Sequence, residues 1–403
     1  NTQYDIHVVG GATTLAINGF LTGTTGGLVK ADAGQLNLNN TAYYTGTTTV
    51  NGGTMKLNSG AANTLALAVT NLAATAQVLV VNGGTLNLSG FDQSVTTLSS
   101  ANSIGGSAGT VTSTGAANFT SNTGTGTTFA GALNGALNFY KAGASTLTLT
   151  GASAYTGTTN ILGTGLTLQD SATLASTTIN IGGGSLNFVN NGLSNNNARI
   201  STSALVNLSG STVSLTGSNQ VSSAVTIGST GNGVSLLQGL NTFTVTPPAA
   251  TTNNAAALTV TNLTRSSGAV ATFAATGLGS TVTGNGQIFV TNVNGVATAN
   301  TNGILGGWAV AGATAATADG WAALVSAQTG VAVTTTAFSN AATVASTAGL
   351  VVGQPVSGGN IPAGSFIAAI SSATAFTFST NATVSGAANS DFAAAGTAPL
   401  NAY

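Results

Sequence analysis

The chain has no cysteine, no glutamate and a single histidine, and only 3% of its 403 residues are charged. Each of these absences removes a class of chemistry. Without cysteine there are no disulfides and no thiolate metal sites. One histidine, His7, cannot build a zinc site alone, since such sites need several nitrogen, sulfur or carboxylate ligands close together. The five basic residues (Lys30, Lys56, Lys141, Arg199 and Arg265) are too few and too scattered to neutralise a phosphate backbone, so no nucleic-acid partner is expected. A net charge of −1 gives almost no repulsion between copies and favours self-association. The most apolar stretch, residues 303–325, is mainly Ala and Gly and contains Asp319, so no membrane-spanning helix is expected. Residues 1–10 have neither a basic n-region nor an apolar h-region, as expected of an already processed exported chain.

What is present is strand and turn. Hydrophobic residues make up 42% of the chain and recur at alternating positions, which argues for a buried core and against disorder despite 56 glycines. The runs Gln35-Leu36-Asn37-Leu38, Thr54-Met55-Lys56-Leu57, Thr85-Leu86-Asn87-Leu88 and Ser185-Leu186-Asn187-Phe188 each put apolar side chains on one face and polar ones on the other. Glycine-rich clusters precede these strands: Asn51-Gly52-Gly53-Thr54, Asn82-Gly83-Gly84-Thr85 and Gly182-Gly183-Gly184-Ser185. Glycine there supplies the backbone freedom for a corner.

A longer block occurs twice. Residues 30–57 and 141–168 align without a gap at an offset of 111 residues. Lys30 meets Lys141, Tyr44-Thr45-Gly46-Thr47-Thr48 meets Tyr155-Thr156-Gly157-Thr158-Thr159, and Met55 and Leu57 meet Leu166 and Leu168. Glycine-marked corners separated by 31, 80 and 20 residues fit coils of roughly 20–30 residues. The expected fold is all-β, a parallel β-helix (β-solenoid) over residues 1–332. A small β-module near the C-terminus, 333–386, has short strands at Val351–Val352, Phe366–Ile370 and Phe376–Phe378, and a terminal strand segment follows at 387–403. A hairpin-built sandwich and a propeller are the alternatives; each predicts a more even strand spacing.

The repeated pattern AYTGTT-x-(V/I)-x-G-G-T-x-x-L resembles the autotransporter-associated β-strand repeat, also called the passenger-associated transport repeat. Residues 30–57 carry it well, and the second block departs from it at Thr164, where a second glycine is expected. The segments NNNARIS at 195–201, LTRSSGA to TGLGS within 263–280 and NGILGGWAV at 302–310 resemble long members of the same family. The resemblance implies a large secreted or cell-surface bacterial β-solenoid. It is a resemblance of architecture and names no ligand. No membrane β-barrel pattern follows, so the translocator part is expected to be absent.

Candidate chemistry is sparse. His7 with Asp5 or Asp32 is the only possible base–carboxylate pair of a Ser-His-Asp triad, and no nucleophile elbow accompanies it. Asp5, Asp32, Asp92, Asp170, Asp319 and Asp391 are far apart in sequence, unlike a local acid–base pair, and read as corner residues. Tyr43, Tyr44 and Tyr155 could offer a sugar-stacking surface, although the repetition of Tyr44 at Tyr155 also fits packing; Trp308 and Trp321 read as packing anchors. No catalytic, cofactor-binding or metal site is therefore expected, and no enzyme activity. The expected role is a structural subunit of an extracellular or cell-surface fibre. Its partner would be a second copy, added head to tail through a strand from residues 2–9 or 391–403. An adhesin that binds cell-surface glycans is the alternative, and a polysaccharide-degrading β-helix enzyme the third reading.

Overall fold

A computed structural model describes residues 3–23, 26–66, 77–229, 231–248, 254–278, 285–298, 304–317, 320–324, 328–347, 350, 354–392 and 400–402. The chain divides into two compact units, residues 1–188 with 198–204, and residues 189–197 with 205–403. The alternation of the sequence becomes a parallel β-helix, and the parallel pairing of successive strands excludes both the hairpin-built sandwich and the propeller.

In the first unit each coil contributes three short strands, one to each of three faces. The first face stacks Tyr4–His7, Leu28–Ala31, Thr48–Val50, Val78–Val81 and Thr97–Ser99. It continues to Thr127–Phe129, where Ser100 N donates to Thr128 O at 3.1 Å, and then to Leu147–Leu149 and Gly165–Gln169. The second face runs through Thr14–Ile17, Gln35–Leu38, Thr54–Leu57 and Thr85–Asn87. The third begins with Leu21–Gly23 on Ala42–Tyr44. The long strands Thr110–Asn122 and Ala132–Ala142 bend at a register shift and serve the second and third faces in turn. On the third face Phe119, Phe139, Thr159 and Ile179 stand in register at intervals of 20 residues.

Inward side chains form columns down the axis. Leu36, Met55, Leu86, Val111 and Leu133 are successive partners and all are fully buried. Each such side chain contributes about 1.5–3 kcal/mol of burial free energy. Phe119 stacks on Phe139 with centroids 6.2 Å apart, and Tyr155 meets Phe139 edge-on at 6.3 Å.

The glycine motif marks one corner, between the first and second faces. Gly34, Gly53, Gly84, Gly109, Gly131 and Gly151 sit on successive coils, and a Cβ on any of them would lie within 3.0 Å of backbone or side-chain atoms of its neighbours. The residue after the glycine donates to the coil below: Thr85 N to Gly53 O and Thr110 N to Gly84 O, both at 2.8 Å. The corner thus requires glycine for close backbone approach, in addition to the positive φ of 59° at Gly53.

The two copies of the long block do not occupy equivalent faces. The first copy visits faces one, two, three, one and two; the second begins on face three and ends on face one. Five strands on a three-strand coil cannot return to their starting face. The pattern therefore encodes strand–corner–strand units whose position around the coil is free. At Thr164 the positive φ moves one residue earlier, to Gly163 (93°), and the threonine hydroxyl instead donates to Gly143 O at 2.9 Å.

The second unit repeats the architecture with longer coils. Thr212–Thr216, Leu240–Thr246, Val270–Ala275 and Ala309–Gly312 stack in parallel, with Thr212 opposite Thr242 and Leu240 opposite Val270. Phe243 and Phe273 stack in its core at 5.2 Å and 13°. The parallel order then ends: Gly320–Leu324 pairs antiparallel with Ala309–Gly312, and Leu400–Ala402 antiparallel with Gly320–Leu324.

Between these last two strands a six-stranded antiparallel sheet is inserted, in the order Val356–Ser357, Gly386–Phe392, Gln328–Thr335, Ala341–Thr343, Ala375–Phe378, Ile367–Ser372. A bridge from Pro355 to Phe366 links its two edges, and the sheet curls into a half-barrel around Val333, Ile367, Phe376, Phe378 and Phe392. The segment expected as one terminal strand, 387–403, is thus divided between this sheet and the stack. Of the expected short strands, Phe376–Phe378 lies within Ala375–Phe378, and the other described one begins at Ile367 with Phe366 outside it. Val351–Val352 lies outside the described residues.

Candidate functional site

The sequence candidates fall at separate places. His7 closes the first strand opposite Ala31, and Asp32 follows Ala31 into the corner with φ 61°. Together they form an exposed pair, His7 Nδ1 to Asp32 Oδ2 at 2.8 Å. Asp5 instead accepts from Gln3 Nε2 at 2.6 Å. Asp92 accepts from Asn118 N and Nδ2 at 2.7 and 2.9 Å and heads an amide column that continues from Asn118 to Asn138. Asp170 is buried near Arg199, whose guanidinium donates to the carbonyls of Asp170 and Ala172 at 3.2 and 3.3 Å. Asp391 accepts from Gly330 N at 2.8 Å. Asp319 lies outside the described residues. Among the described residues no three His, Cys, Asp or Glu side chains gather where they could hold a metal ion.

The tyrosines separate by phase along their strands. Tyr44 and Tyr155 point inward and are fully buried, with their hydroxyls bonded to Thr48 Oγ1 at 2.6 Å and Thr159 Oγ1 at 2.5 Å. Neither can stack on a sugar, so the repeated tyrosine is a core residue with an internal hydroxyl partner. Tyr43 points outward and pairs with Phe20, ring centroids 5.6 Å apart. Trp308 is partly buried beneath the Arg265 guanidinium, 5.6 Å from its ring. Trp321 is 46% exposed and is not a packing anchor.

Two functional groups escaped the reading from sequence: the paired lysines. Lys30 and Lys141 occupy inward positions, in phase with Leu28 and Phe139, and both are fully buried. Lys30 Nζ donates to the carbonyls of Ala31, Asp32 and Gly52 at 2.5, 2.9 and 3.1 Å. Lys141 Nζ donates to Ala142 O at 2.6 Å and Thr164 Oγ1 at 3.3 Å. An ammonium group here satisfies carbonyls that the corner turns away from the ladder. The signal was available in the alternation, because a lysine at an apolar phase in both copies must be buried.

Burial pushes the Lys141 ammonium from 10.5 down to about 8 and also lowers Lys30, whose shift is opposed by the Asp32 charge. Burial raises the Tyr44 and Tyr155 hydroxyls above their ordinary 10.0. Between pH 8 and 10 the unfolded chain holds the Lys141 proton more tightly than the folded one, so stability rises with pH. Above pH 10 unfolded tyrosine loses its proton first, and stability falls. Urea midpoints measured from pH 7 to 11 should therefore pass through a maximum near pH 10, with a rising limb of about 1–3 kcal/mol. Lys141→Met should flatten that limb; an unchanged limb would refute the assignment.

The family model of the passenger-associated-transport-repeat matches residues 28–57 and 139–169, the two blocks that hold the buried tyrosines and lysines. A curated relative, the "Adhesin BmaC autotransporter" of Brucella suis biovar 1 (strain 1330), is 38% identical over 170 residues. That match covers 41% of this chain and 4% of the relative, so the chain spans a small fraction of that protein. No solved structure matches the chain. With both repeat blocks seated in coils of a parallel β-helix, the chain is a β-solenoid that carries two passenger-associated transport repeats, at the cell surface or secreted beyond it.

Proposed function

We propose that the chain is a structural passenger, a β-stack that lengthens by strand addition at its first coil. The observation behind this reading is the state of that coil. Tyr4–His7, Thr14–Ile17 and Leu21–Gly23 each pair with the second coil on one side only among the described residues. Their inward side chains are uncovered: Leu15 is 42% exposed, whereas its partner Leu36 is fully buried. Tyr4 and Ile6 are likewise partly exposed above buried Leu28 and Lys30. An added coil would bury these side chains and pair three free edges at once. For residues 1–403 by themselves the occupant proposed is a second copy, in a head-to-tail contact that does not close; in a longer chain a preceding coil would take the same place.

Negative-stain microscopy of the purified chain should show filaments, and Leu15→Lys or deletion of residues 1–9 should leave single particles. Single particles from the unaltered chain, or filaments from both variants, would sink this reading. A second reading is a surface adhesin, supported by the adhesin relative and by the half-barrel, where Phe338 is 87% exposed at φ 62°. The binding experiment below includes a variant that tests it.

A further inference from the structure

We infer that the outward pair Phe20 and Tyr43, on the third face of the first two coils, is a binding platform for a neutral glycan. Phe20 is 60% and Tyr43 44% exposed, with centroids 5.6 Å apart and planes inclined at 50°. Tyr43 stands opposite Thr22 in the ladder, and Phe20 lies two residues before Thr22 on the same outward side. The register therefore fixes both rings on adjacent coils. Unlike Leu15, they point away from the axis, so a further coil would stack beside Phe20 rather than enclose the pair. Neither core packing nor end-wise growth accounts for two large apolar rings held in water.

Their surroundings specify the ligand chemistry. The corner just before the platform carries an amide ladder: Asn39 Nδ2 donates to Asn18 Oδ1 at 2.8 Å, and Asn58 Nδ2 donates to Asn39 Oδ1 at 3.0 Å. Asn40 lies at the same corner, with its Oδ1 accepting from Thr41 N at 2.9 Å. Residues 10–29 and 33–55 contain no charge, and Lys30 is buried in its own corner. The nearest outward cation along the chain, Lys56, stands on the second face opposite Asn37 rather than on the third face with the rings, which disfavours an anionic sugar or a lipid headgroup. A pyranose has an apolar C–H face for the rings and a hydroxyl rim for the amides, and it needs no charge. The inference deepens the adhesin reading and rests on it only in requiring that a ligand is bound.

The test uses the intact chain on an array of neutral hexose and N-acetylhexosamine oligosaccharides, followed by titration with cellohexaose, chitohexaose and mannohexaose. At least one should bind, and Phe20→Ala and Tyr43→Ala should each weaken it about tenfold without lowering the melting temperature. Tyr43→Trp should report the same ligand by a change in indole fluorescence, a measurement that needs no loss of structure. Binding that survives both alanine substitutions overturns the platform. If it survives these but is lost in Phe338→Ser, the ligand belongs to the half-barrel and the adhesin reading stands without the platform. If no oligosaccharide binds, both fail for neutral glycans.

Discussion

Gly131→Ala is expected to destabilise the first unit by about 3 kcal/mol or more, enough to lower its folded yield. The new Cβ would lie within 3.0 Å of the Gly109 carbonyl oxygen and of the Phe129 ring. Neither neighbour can give way easily. The Gly109 oxygen accepts from Ala132 N at 3.1 Å, and Phe129, two residues earlier on the same coil, is fully buried. A shift of this corner would also propagate, because Gly151 stands on Gly131 as Gly131 stands on Gly109. Gly124→Ala is the matched control, since a Cβ there meets nothing within 4 Å; it should change stability by less than about 0.5 kcal/mol. Urea unfolding followed by far-UV circular dichroism measures both. Equal midpoints for the two variants would show that the corner column is not the constraint that the repeated glycine expresses.

The same column explains how much was legible in the sequence. Alternation and glycine-marked corners are local consequences of the coil, so Leu36, Met55 and Leu86 could be read as one inward set before any pairing was known. Phase along a strand is local too. Tyr43 and Tyr44 differ by one residue and so face opposite ways, yet composition alone grouped them as one surface. The lysines were missed for a related reason: they were weighed only as charges for a partner, whereas Lys30 and Lys141 sit at apolar phase with carbonyls for partners. Which face each strand occupies was not legible. It depends on loop lengths summed over many coils, and a loop such as the one separating Leu57 from Val78 changes the register step to 31 residues, as between Thr54 and Thr85. The pairing of His7 with Asp32 is likewise a contact between coils, set by the register of Ala31 against His7 and invisible to spacing along the chain. The half-barrel strands were only partly legible, because short antiparallel strands at close spacing carry little periodicity of their own.

Tyr155→Ala is expected to cost about 3–5 kcal/mol, the range for removing a large aromatic from a packed core. The ring is fully buried, edge-on to Phe139, which stacks in turn on Phe119. Its loss would open a void in the middle of an aromatic column, and the rigid coils above and below cannot collapse into it. Tyr155→Phe keeps the ring and removes only the hydroxyl, leaving Thr159 Oγ1 without that partner in a buried site, at a cost of about 1–2 kcal/mol. Thr159→Val removes the other half of the same bond. The double variant with Tyr155→Phe should then recover part of the sum, because two apolar groups facing each other leave nothing unsatisfied. Tyr44 and Thr48 make the equivalent bond in the first block, so the corresponding set at 44 and 48 should follow the same order. If Tyr155→Ala instead left the melting temperature unchanged, the tyrosine could not be the core element that the repeat preserves. The distinction between a buried Tyr155 that sets the stack and an outward Tyr43 that meets the solvent would then fail with it.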